Sequence, residues 1–108
     1  MLGGAGVPTP KRVDSVEVHN AGSAPITVTV VFDNHKDKIE LSECHEVPAG
    51  GKYHFTEKTL DFGSWQAVAP VKSVHTGDGS NSLTPAVHGI VKKLAVTVGG
   101  DGKLSASQ

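Results

Sequence analysis

Between Ile26 and Asp33 the chain alternates without a break. Ile26, Val28, Val30 and Phe32 fall on one side of an extended backbone, and Thr27, Thr29 and Val31 on the other. Period two in β-branched and aromatic residues is the pattern of a strand with one buried face. Turn-forming residues bracket it, from Asn20 to Pro25 on one side and from Asp33 to Asp37 on the other. Arg12 to His19 alternates as well, with Val16 and Val18 on the inner side. The short link to Ile26 predicts an antiparallel neighbour. Leu94 to Val98 reads as a strand, and Lys103 to Ser107 can pair back on it across Gly99 to Gly102.

A third strand is expected over Lys38 to Val47, with Ile39 and Leu41 facing one way and Glu40 and Ser42 the other. Pro48-Ala-Gly-Gly51 is then a turn: proline fixes φ at its first corner and Gly50 supplies a positive φ. Tyr53 and Phe55 share a face on the returning strand. A three-residue loop with a bulge glycine pairs Val47 with Gly51, His45 with Tyr53 and Glu43 with Phe55. That register keeps the apolar residues together, so it is the one the pattern selects. It sets Cys44 beside His54 on the outer face and makes Gly50 more sensitive to a side chain than Gly51.

Leu60 and Phe62 share a face, but after Gly63 the apolar positions move to the opposite parity, at Trp65, Ala67, Ala69 and Val71. A bulge or a crossing between sheets would leave that mark. Residues 76–82 are loop by composition. Thr84 and Pro85 resemble the start of a helical turn over 85–93, with a strand as the competing reading. Seven to eight short strands with frequent turns predict an all-β fold, an antiparallel β-sandwich immunoglobulin-like in general architecture. This single domain spans 12–108 behind a flexible leader, 1–11.

Composition changes this picture little. The 108 residues, 37% hydrophobic and 19% charged, suit one soluble globule. A net charge of −1 with no basic cluster argues against nucleic acid as a partner. Met1 to Val7 has neither the basic nor the apolar part of a secretory signal, and no apolar run approaches the ~20 residues of a membrane span. Cys44 is the single cysteine, so no internal disulfide can form. A reducing, cytoplasmic location is the expectation.

The chemistry is sparse. Six histidines invite a metal reading, with Cys44, His45 and His54 as weak candidates on one hairpin. No Cys-x-x-Cys or His-x-His element supports it, and no metal or other cofactor is expected. Glutamates on either side of Cys44 would raise a thiol pKa rather than activate it. Glu43 and His45 are the oddest feature, because they sit on an apolar face. Either the strand end passes beyond the core, or the two form a polar pocket with the Tyr53 hydroxyl. Trp65 reads as core filler by default, and as a ligand-stacking platform if it lies outside.

The candidate ligand-binding set is therefore Glu43, His45, Tyr53 and Trp65, with no catalytic residue. The favoured function is a non-enzymatic module recognising a protein partner through a sheet edge or end loops. A small-ligand or carbohydrate binder using Trp65 and Tyr53 is the first alternative. A metal- or Cys-dependent enzyme at Cys44, His45 and His54 is the second.

Overall fold

The alternating stretch forms β3 (Ile26–Phe32), an interior strand of a four-stranded antiparallel sheet. β4 (Leu41–Val47) pairs with it on one side and β8 (Val71–Thr76) on the other, and β9 (Asn81–Leu83) follows β8. A second sheet runs β12 (Leu104–Ser107), β11 (Leu94–Val98), β2 (Val16–Asn20), β5 (Lys52–Phe55). The computed structural model describes residues 12–34, 40–77, 81–85, 87 and 89–107. The expected leader over 1–11, the start of the third strand including Ile39, and His35 and His88 lie outside the described residues.

The valine-rich inner faces close against each other. Val16, Val18, Phe55 and Val96 of the second sheet and Val28, Val30, Phe32 and Val74 of the first have no exposed surface. Burying such a side chain contributes roughly 1.5–3 kcal/mol. The chain is all-β, with two four-stranded sheets and two two-stranded pairs sharing one core and no helix among the described residues. Accordingly, no helix there is long and apolar enough to cross a membrane.

Several expectations about strand pairing need correction. β2 and β3 are not neighbours; the Asn20–Pro25 link carries the chain from one sheet to the other. The predominantly antiparallel pairing is as expected, and within it β2 pairs in parallel with β11. Ahead of that pair, β1 (Arg12–Val13) pairs in parallel with β10 (Ile90–Val91), so strand rather than helix ends the 85–93 segment. Gly63 is neither bulge nor crossing. It turns the hairpin of β6 (Lys58–Asp61) and β7 (Gln66–Ala69). An even-length connection pairs Leu60 with Ala67, so apolar residues of opposite parity share one face.

The last correction concerns Pro48–Gly51. The turn forms, with Gly51 N–H donating to the Pro48 carbonyl at 2.8 Å and Gly50 at φ 73°. The strands it joins belong to different sheets: β4 pairs with β3, and β5 with β2. Local turn chemistry is identical in a hairpin and in an arch between sheets. What separates them is the partner waiting for each strand, and β2 offers Val16 and Val18 to Phe55 and Tyr53.

Candidate functional site

β4 borders its sheet, and its geometry is regular. Its seven residues pair one-for-one with β3 from Ile26↔Val47 to Phe32↔Leu41 with no bulge. Val47 is fully buried, whereas Cys44, His45 and Glu46 are exposed. Among the described residues, no backbone hydrogen bond joins the far side of β4 to another segment. Such an edge is a row of donors and acceptors ready for another strand.

The chain leaves this edge at Val47, and Asn20 secures that departure. Asn20 is 2% exposed. Its Nδ2 donates to the carbonyls of Val47 at 3.0 Å and Ala24 at 2.8 Å, and its Oδ1 accepts from Gly22 N–H at 2.9 Å. Its backbone N–H donates to the Gly51 carbonyl, and its carbonyl accepts from Gly50 N–H. One buried amide thus ties the end of β2 to both ends of the arch. The sequence reading missed Asn20. Its only signal was an asparagine, a residue whose amide can satisfy local backbone groups, beside a turn.

Behind the edge lies a polar cluster that bridges the two sheets. Glu43 is on the inner face opposite Val30. Its Oε2 accepts from the Tyr53 hydroxyl at 2.9 Å, and its Oε1 lies 2.7 Å from Lys58 Nζ. His45 stacks on Tyr53, with ring centroids 3.6 Å apart and planes inclined by 14°. Phe55 meets the same tyrosine edge-on at 4.8 Å. Burial alone would raise the Glu43 carboxyl, but hydrogen bonds from Lys58 and Tyr53 and the nearby His45 hold it below the usual carboxylate range. The same bond to Glu43 pushes the Tyr53 phenol above its ordinary value.

Glu43, His45 and Tyr53 thus come together, though across two sheets rather than along one hairpin. Lys58 completes the group and was not foreseen. Its signal was alternation, which puts it on the same face as Leu60. Trp65 stands apart. It is not core filler but 56% exposed, at the tip of the β6–β7 hairpin, stacked on Phe62. His45 and Phe55 meet the Tyr53 ring, whereas Trp65 is, among the described residues, the exposed aromatic.

Cys44 and His54 are separated. Cys44 lies opposite Thr29 on the outer face of one sheet, and His54 lies opposite Glu17 on the outer face of the other. His54 Nε2 instead meets the Ser15 hydroxyl at 3.0 Å, and that hydroxyl donates to the Lys92 carbonyl at 2.6 Å. No group of three His, Cys, Asp or Glu side chains among the described residues could hold a metal ion. No protein-family model, curated protein sequence or solved structure matches the chain.

Proposed function

We propose that this chain is a binding module that recognises an extended segment of a protein partner by strand addition to β4. The observation that carries the reading is the bulge-free seven-residue edge strand whose far side has no backbone partner among the described residues. Main-chain hydrogen bonds supply affinity in this mode, and alternate side chains supply selectivity. An inward charge on an edge strand ordinarily discourages pairing. Here Lys58 neutralises Glu43, so that obstacle is weakened.

The outer face of the edge carries Ser42, Cys44 and the exposed Glu46. Its carboxylate favours a partner with Lys or Arg at the matching position and disfavours a second copy of β4. The single exposed thiol of Cys44 fits a reducing, cytoplasmic setting for such a module. The test is selection of displayed random peptides on the purified chain. It should enrich extended β-branched sequences with alternate basic residues, and Glu46→Lys should abolish their binding. Enriched peptides that bind the Glu46→Lys chain undiminished would refute the reading.

A further inference from the structure

We infer that β4 pairs with β4 of a second copy of this chain about a two-fold axis at Cys44, and that a protein partner displaces that copy. The inference rests on the reading of β4 as an edge that gains a strand. It adds what fills the edge when no partner is bound.

Hydrogen-bond direction limits how two such edges can meet. In an antiparallel ladder the N–H and C=O of one residue point to the same side, and the side alternates along the strand. The Thr27 carbonyl accepts from Gly77 N–H at 2.8 Å, and Asp33 N–H donates to the Pro70 carbonyl at 2.8 Å. Gly77 and Pro70 lie just beyond the two ends of β8. Odd-numbered residues of β3 therefore face β8, and even-numbered ones face β4. Their β4 partners, Leu41, Glu43, His45 and Val47, point back at β3. Ser42, Cys44 and Glu46 are left with N–H and C=O groups aimed out of the sheet edge.

Two copies of β4 must match outward residue with outward residue. Setting Cys44 against its own copy also pairs Ser42 with the copy's Glu46, so every outward group of the strand is bonded. In that alignment Glu43 faces the copy's His45, and Leu41 faces the copy's Val47. Both pairs fall between the hydrogen-bonded sites, where side chains approach most closely. A carboxylate accepts at about four positions, so Glu43 can take an imidazole N–H besides Tyr53 and Lys58. The interface is self-complementary, as a two-fold axis requires, and it joins two four-stranded sheets into one.

The neighbouring alignments fail on the same residues. A shift one way sets Glu43 against its own copy and Glu40 against Glu46. A shift the other way sets Glu43 against Val47 and Ser42 against Pro48, which has no N–H to give. Glu46 disfavours a second copy where it meets another glutamate. At the chosen alignment it meets the Ser42 hydroxyl, and that penalty is absent.

Sedimentation of the intact chain over a dilution series up to about 1 mM should show a reversible monomer–dimer equilibrium, as a small interface gives. Cys44→Asp puts two carboxylates together at the axis, and His45→Glu puts a second glutamate opposite Glu43. Each should weaken dimerisation by about tenfold or more. Cys44 is exposed, so its variant should melt with the parent chain even where loss of the His45–Tyr53 stack unsettles the other. Glu46→Lys should still dimerise although it loses the selected peptides, and those peptides should convert the parent dimer to a one-to-one complex. A parent chain that is monomeric up to about 1 mM, or a folded Cys44→Asp chain that dimerises undiminished, would overturn the inference. If peptides still protect β4 in that case, the reading of the edge survives. If they do not, both fall.

Discussion

On one flank of the sandwich the bordering strands are β9 and β12, three and four residues long. On the other they are β4 and β5, seven and four residues long. On the short flank the two sheets approach each other at Gly102 and Asn81. Gly102 turns β11 into β12 at φ 83°, and a Cβ there would lie 3.0 Å from Asn81 Nδ2. The long flank is bridged by side chains, through Glu43, Tyr53, His45 and Lys58, and the far side of the β4 backbone has no partner among the described residues. Brevity protects an edge without chemistry, whereas a long regular edge needs a reason to remain. This contrast supports the proposal that recognition occurs at β4.

The largest expected effect removes what keeps the flanks different. Asn20→Ala deletes two donated bonds and one accepted bond, and leaves the buried Val47 carbonyl without its amide partner. A loss of roughly 2–4 kcal/mol in urea unfolding follows from stranding buried polar groups. An effect below about 0.5 kcal/mol, the level of ordinary surface changes, would show that the arch holds without its latch.

Next come the glycines of the arch. Gly50→Ala forces a side chain into positive φ and should cost about 1 kcal/mol. In a hairpin, Gly51 would tolerate the change better. In the arch, a Cβ on Gly51 would sit 2.7 Å from Pro48 Cγ and 3.1 Å from its carbonyl oxygen. Gly51→Ala should therefore cost at least as much as Gly50→Ala in the same thermal melts. A clearly milder Gly51 variant would favour the hairpin register over the arch.

The bridge itself is worth less. Glu43 is part-exposed, at 25% of its side chain, so Glu43→Gln should cost only about 0.5–1 kcal/mol near neutral pH. The sign with pH follows from its lowered carboxyl. Its contribution is complete above the ordinary value of 4.5 and is lost as pH falls through the depressed folded value. Parent and variant should thus converge in acid. Tyr53 is the sole tyrosine, and an absorbance titration of Glu43→Gln should bring its pKa down toward the ordinary 10.0. An unmoved phenol would mean the two groups are not bonded in solution.

The sequence carried the main strands and three of the four bridge residues, because both depend on local alternation. Val28, Val30 and Phe32 announce a buried face in a window of seven residues, and Glu43 and His45 stand out for interrupting one. Which strand pairs with which was not legible in the same way. Pro48–Gly51 makes the same turn whether its strands remain together or part, and the outcome depends on β2, some thirty residues upstream. Asn20 and Lys58 were hidden for a related reason. Their roles come from groups distant in the chain, Val47 for one and Glu43 for the other. Trp65 was misjudged because ringing alanines suggest a core site, while the two-residue turn at Gly63 lifts it to the tip.

The central claim is that β4 is an open edge that gains a strand, and amide hydrogen exchange tests it most directly. Exchange is followed residue by residue in the free chain and with a saturating peptide enriched by selection on it. New protection should fall on alternate amides within Leu41–Val47, because only every second N–H of an edge strand points outward. Protection gained at β9, β12 or the end loops, with β4 unchanged, would contradict the account.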